Sequence, residues 1–216
     1  MESYLKNQLI TLLEERFEVL SPQHLDRPSW ETVSKSKYAE EAVEVYRDLG
    51  GKMKWPGIQL PQDFILLKND FVVFLDEALH FNRYRAQTLR SKIYEKMPLI
   101  PVDSYKTYCR KYEKECLKAG LAGKNWSFPF AEKHFGLASE RGDFSKNGPP
   151  AWKLRALENF LLDSALLAQK VKVLRLSVYQ QLMLNKQLYK IGDILISGRE
   201  PQQTALLNYI ERKISS

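Results

Sequence analysis

The chain has two cysteines among 216 residues, too few for a disulfide framework. Cys109 and Cys116 lie seven positions apart on a stretch with helical spacing, about 10 Å along the axis, which is farther than a disulfide reaches. No CxxC pair accompanies them, so a structural zinc site is unsupported and both read as buried thiols. Histidine is scarce too. His24, His80 and His134 include no two at a metallopeptidase spacing, and neither a GxSxG elbow nor a Walker phosphate loop is present. No apolar run approaches the roughly 20 residues that span a membrane. The opening MESYLKNQLITLLEERF lacks the charged-then-apolar order of a signal peptide, which implies a cytoplasmic protein. Internal repeats are absent, and 44% hydrophobic with 27% charged residues is an ordinary globular composition.

Acidic charge is also in deficit: the formal net charge is +7. Between Phe81 and Lys124 stand eleven Lys/Arg against Glu95, Asp103, Glu113 and Glu115, an excess equal to that of the whole chain. A polyanion with a phosphate backbone suits such a cluster, because each neutralised phosphate releases counterions. A merely solvated helical face would give the same count.

The stretch that organises the rest is PQDFILLKNDFVVFLDEALHFNRYR, residues 61–85. DFILL and FVVFL are aromatic and branched, and Lys68-Asn69-Asp70 between them is a turn signal, so an antiparallel hairpin is expected. With Asn69-Asp70 as a two-residue loop, Asp63 lies directly across from Asp76. Opposed residues have Cβ atoms about 4.5–5.5 Å apart, where two carboxylates repel unless a proton or a cation intervenes. The expectation is therefore a divalent ion, Mg²⁺ or Mn²⁺, held by Asp63 and Asp76 and activating a water. Glu77 alternates with Asp76 across the strand, so only one of them can face the site. His80 is placed to act as general acid or base. Arg83, Arg85, Arg90 and Lys92 follow at once, arginine's planar fork being suited to a phosphate. Structural ion pairs would account for the same arginines.

An aspartate opening one strand and an apolar strand ending in FVVFLDEALH resemble the PD-(D/E)XK nuclease superfamily, and more closely its very-short-patch repair endonuclease branch. The resemblance implies a core of a helix, three strands, a helix and a further strand, and a metal-dependent DNA endonuclease activity. It also implies the Leu75 carbonyl as a metal ligand. The superfamily's usual glutamate position is occupied by Phe74, and the lysine two residues later is replaced by Asp76. The alternative is thus a catalytically inactive nuclease-fold protein serving as a nucleic-acid-binding or dimeric interaction subunit.

Elsewhere, residues 1–20 have amphipathic helical spacing, and a second helix spans about 35–49, with Glu40, Glu41 or Glu44 able to lean toward a metal. KMKWPGIQLP reads as a lead-in or first edge strand. Residues 103–119 form a basic helix whose tyrosines pack inward or stack on bases. Residues 120–150 lack a period but carry Trp126, Phe128, Phe130 and Phe135, so they pack down. Residues 151–169 are the clearest helix, VKVLRLSVYQ is the strongest strand, and 181–214 read as two apolar helices suited to a homodimer contact. The expected architecture is α/β: one domain with a small mixed sheet flanked by helices on both faces. Its nuclease-like core is about 35–97 and 151–180, with a helical insertion at 98–150. The partner is DNA or RNA, with no membrane.

Overall fold

The computed structural model describes residues 3–54, 58–68, 70–121 and 123–215. Trp55 to Gly57, within the proposed lead-in strand, and Asn69, within the hairpin turn, fall outside the described residues. The chain begins with α1 (Tyr4–Glu14), β1 (Val19–Leu20), α2 (Trp30–Ser34) and α3 (Ala39–Asp48). The hairpin follows as β2 (Ile65–Leu67) and β3 (Phe71–Asp76), then α4 (Arg83–Thr88), α5 (Val102–Lys111), α6 (Glu113–Gly120), α7 (Pro129–Phe135) and α8 (Pro150–Ala168). The last part is β4 (Lys172–Ser177), β5 (Gln181–Leu184), β6 (Gln187–Lys190), α9 (Ile191–Ser197) and α10 (Glu200–Ile214). The fold is α/β with a mixed sheet, as the sequence implies. Among the described residues no helix is long and apolar enough to cross a membrane.

The chain divides into two compact units, each discontinuous in sequence: residues 1–27, 62–77 and 171–216 form the first, 28–61 and 78–170 the second. Neither follows the boundaries of a core at 35–97 and 151–180. The first unit holds the sheet in the order β1-β2-β3-β4, with β1–β2 and β2–β3 antiparallel and β3–β4 parallel. Nearly all of β3 is buried, as a strand with neighbours on both edges requires. One edge strand of the sheet is Val19–Leu20, where helical spacing over residues 1–20 implies the tail of the first helix; α1 stops at Glu14, and the Glu18 carbonyl accepts from the Lys68 amide.

Residues 181–190 correct a second expectation. They form a two-stranded hairpin, β5 on β6, and not a helix. Asn185 and Lys186 have φ of 50° and 64°, the left-handed pair that a type I′ turn demands. The turn sets Met183 across from Leu188, both exposed, while Leu182, Ile191, Ile194 and Leu195 are buried. Most of the apolar C-terminal surface offered for a dimer is thus interior to this unit.

The second unit is helical, with α8 at its centre against α2, α3, α4 and α7. Most of the circumference of α8 is enclosed: Trp152, Leu157, Phe160, Leu161 and Leu166 are all inaccessible, and Lys153, Asn159 and Asp163 are buried with them. The aperiodic stretch does pack down: Trp126 joins Trp152 and Cys116 in a small core, flanked by Phe144. The single basic helix expected over 103–119 is two, broken at Tyr112 (φ −111°, ψ 17°). Cys109 and Cys116 are both buried and unbridged, and burial pushes the Cys116 thiol up to about 12, far from reactivity.

Candidate functional site

The hairpin exists, but one residue out of the expected register. Ile65 pairs with Val73, Leu66 with Val72 and Leu67 with Phe71. Odd positions therefore oppose odd and even oppose even, so Asp63 falls in step with Leu75 and not with Asp76; a slip of one residue reverses the face of every side chain. Asp63 also precedes the paired segment. Its side chain is 67% exposed and its Oδ1 accepts from Lys6 Nζ at 2.5 Å. Asp76 is buried, and both its oxygens accept from Arg175 Nη1 at 2.9 and 3.0 Å.

Arg175 is fully buried on β4. The parallel register places it opposite Phe74 and Ser177 opposite Asp76, so its guanidinium stacks 4.0 Å from the Phe74 ring centre and reaches along the strand to the carboxylate. Phe74 and Asp76 together hold this arginine. A hard divalent ion needs carboxylate oxygens turned to a common centre and open to water. These two acids, each occupied by its own cation, do not fit it as placed. Leu75 is half-buried on the intervening face of β3, Glu77 is half-buried at its end, and His80 closes a 3-10 turn, Ala78–His80, at the start of the second segment of the second unit. Among the described residues no group of three or more His, Cys, Asp or Glu is gathered for a metal.

The arginines take the structural alternative. Arg83 is paired with Glu113: its Nε and Nη2 donate at 2.9 and 2.8 Å and its backbone amide at 2.9 Å. Burial works to raise the Glu113 carboxyl, but these hydrogen bonds and the Arg83 charge hold it below its ordinary range. Arg83 also lies 4.1 Å over the Phe144 ring. Arg85 is inaccessible; Nη2 donates to Asp163 Oδ2 at 3.0 Å and Nη1 to the Tyr94 hydroxyl at 2.8 Å, while Tyr94 donates to the same carboxylate. Arg90 and Lys92 are exposed, on a groove of about 450 Å³ whose acidic wall is Glu40, Glu44 and Asp48. Glu41 is committed there as well, accepting from Ser91 Oγ at 2.5 Å and the Lys92 amide at 2.6 Å.

Cations without an acid collect on α5, α6 and the turn beyond them. Arg110, Lys111, Lys114, Lys118 and Lys124 are exposed, and none makes an ion pair among the described residues. Arg110 reaches only Thr107 Oγ1 at 3.4 Å. The tyrosines of the same helices lie inward, Tyr105 buried at 5.3 Å from Phe81 and 6.3 Å from a half-buried Tyr108, which supports packing for this stripe. Charge divides unevenly between the units: 22 Lys/Arg against 14 Asp/Glu in the second, 11 against 12 in the first. The positive excess of the molecule belongs to the helical unit.

Sequence reasoning overlooked the partners that decide these roles. Arg175 had the appearance of a polar alternate on a strand, and Lys6, Glu113 and Asp163 carried no local signal at all. Glu158 was also passed over. It is half-buried on α8, one turn from Arg155, and burial raises its carboxyl to about 7 against the opposing influence of Arg155.

No curated protein and no solved structure matches the chain. A family model does match, over residues 44–197, a span that includes the hairpin, α5, α6 and α8; its description is "Family of unknown function (DUF7255)".

Proposed function

The chain belongs to the DUF7255 family, whose function is unknown, and from its own residues we propose that it is a nucleic-acid-binding protein that holds a phosphate backbone on α5 and α6 without cleaving it. The observation that carries this reading is the run of five exposed, acid-free cations, Arg110, Lys111, Lys114, Lys118 and Lys124, on the unit that contains the whole positive excess. Exposed lysines and arginines at helical spacing bind a polyanion through counterion release and need no metal. The nuclease-like reading is supported by α3 standing before the β2–β3 hairpin and by α8 standing before β4, which pairs parallel to β3. The non-catalytic form of that reading is supported by Asp76, whose oxygens are taken by Arg175, and by Phe74, which stands where the superfamily carries an acid and here stacks on the same arginine.

Fluorescence anisotropy with a labelled DNA duplex and an RNA of equal length, in EDTA, tests it. Binding is expected without divalent ions, weakening steeply with salt. Lys111→Glu, Lys114→Glu and Lys118→Glu combined should reduce affinity by about 10²-fold or more, at roughly one charge-assisted contact per residue. Plasmid incubated with Mg²⁺ should remain supercoiled. Mg²⁺-dependent nicking abolished by Asp63→Ala would restore the endonuclease reading, and a triple variant that binds like the parent would remove α5 and α6 from the interface.

A further inference from the structure

The helical unit contains a second positive site, built differently from the exposed helices. Lys153, in the first turn of α8, is only 7% exposed. Its Nζ donates to Asn147 Oδ1 at 2.8 Å and lies 5.5 Å from the centre of the Tyr84 ring, both neutral groups. No carboxylate pairs with it among the described residues, and the first turn of α8 contains no acid. The charge it feels most is of its own sign: burial first, and then Lys52, press its ammonium below the ordinary lysine range. A buried charge is normally paired, because desolvating it alone costs several kcal/mol.

The backbone around these two lysines leaves room for both ammonium groups. The Lys52 amide donates to the His134 carbonyl at 2.8 Å, which pins the segment leaving α3 against the end of α7. Gly50 and Gly136 both adopt φ of +85°, a conformation that side chains resist. A Cβ at Gly50 would stand 3.4 Å from Lys153 Nζ, and one at Gly136 would stand 2.5 Å from Lys52 Nζ. Each ammonium therefore lies over a bare glycine. Asn147 completes the frame: its Nδ2 donates to the carbonyls of Phe135, Gly136 and Leu137 at 3.0, 3.2 and 2.8 Å, which turns its Oδ1 toward Lys153.

We propose that Lys52 and Lys153 form an anion-binding site that takes a phosphate group, with Lys153 as the buried anchor and Lys52 as the exposed arm that closes over it. A doubly charged oxyanion answers both lysines at once, and a lysine binds phosphate as a point charge without a required plane. The phosphate comes either from a free phosphorylated small molecule or from a nucleic-acid strand. The site uses none of the cations on α5 and α6, so it stands or falls separately from the interface proposed there.

Thermal unfolding and calorimetric titration of the full chain with inorganic phosphate and with pyrophosphate, against chloride at equal ionic strength, provide the test. The parent should gain Tm specifically with phosphate or pyrophosphate. Lys153→Met should match or exceed the parent's Tm in chloride, because an uncompensated buried charge has gone, and yet lose the phosphate increment. Lys52→Ala, at an exposed side chain, should fold normally and bind phosphate about tenfold more weakly, the usual scale for losing one charged contact. Lys35→Ala, an exposed lysine paired with Glu31, should keep the full increment. A parent with no phosphate-specific gain, or variants that keep it, would overturn the site and leave an adventitious ion only. Competition by an unlabelled oligonucleotide separates the sources: displacement of phosphate by DNA through Lys52 and Lys153 assigns the site to the strand, and undisturbed phosphate binding assigns it to a small molecule.

Discussion

Arg175 lies on β4, at an edge of the sheet, yet it is fully buried, so its charge has to be compensated within the protein: the Phe74 ring covers the face of its guanidinium and Asp76 receives its Nη1. Removing one member of a buried pair strands the other charge, which costs about 3–5 kcal/mol, whereas replacing both with apolar groups is often neutral. Asp76→Ala should therefore lower the urea midpoint strongly, and Asp76→Leu with Arg175→Met should recover most of the loss. A metal-ligand role would give the opposite ranking in chelator-treated protein, where Asp76→Ala would be harmless. Glu158 supplies a second residue-scale expectation. Its folded pKa of about 7 lies above the ordinary 4.5, so between those values the folded chain keeps a proton that the unfolded chain has released. Stability should then fall as pH rises from about 4.5 to 7 and level off above, by up to about 3 kcal/mol. Comparing denaturation of Glu158→Gln with the parent across that range isolates the effect; parallel pH curves would refute it.

Elements differed in how much of themselves they disclosed. The hairpin's existence was legible because FILL and FVVFL are apolar runs around a turn signal, and α8 because helix-forming, mostly apolar residues follow Pro150 without a glycine or a second proline. The hairpin's register was not, since Asp70 takes φ of 54° and the loop between the paired residues Leu67 and Phe71 is three residues long; a turn one residue longer exchanges the faces. That single step separated Asp63 from Asp76 and with it the metal site imagined between them. The β5–β6 hairpin was hidden for a related reason. QLMLNKQLYK alternates as a strand pair should, but Lys186 occupies a left-handed position usually given to glycine, so the turn did not announce itself. Lys186→Gly should stabilise that hairpin by about 0.5–1 kcal/mol, visible as a raised Tm and slower amide exchange at Met183 and Leu188. The ion pairs of Arg83 and Arg85 were unreadable in another way: their partners stand 30 and 78 positions away, and a charge's nearest opposite in space leaves no mark on its neighbours in sequence.

At the scale of the whole molecule, the separation of charge is the property most open to measurement. With 22 basic against 14 acidic residues in one unit and 11 against 12 in the other, the positive excess is confined to one of the two units. If five cations each displace a counterion, log K should fall against log salt with a slope of about −4 to −5 on duplex DNA; a slope near −1 would mean that the exposed lysines of α5 and α6 are bystanders. The sequence showed where the positive charge was concentrated, in residues 81–124. It did not show that the sheet-bearing unit would be left almost neutral, because that unit is gathered from three distant segments.

That gathering has a consequence for synthesis. As the ribosome delivers the chain, α2 to α8 are complete by residue 168, but β3 must wait for β4 to be translated before its second edge is covered. Asp76 and Arg175 are 99 positions apart, so at about 5–20 residues per second the nascent carboxylate goes roughly 5–20 seconds without its counterion. During that interval FVVFL is a half-finished sheet with one adhesive border, which makes this the moment at which a chaperone would find most to hold.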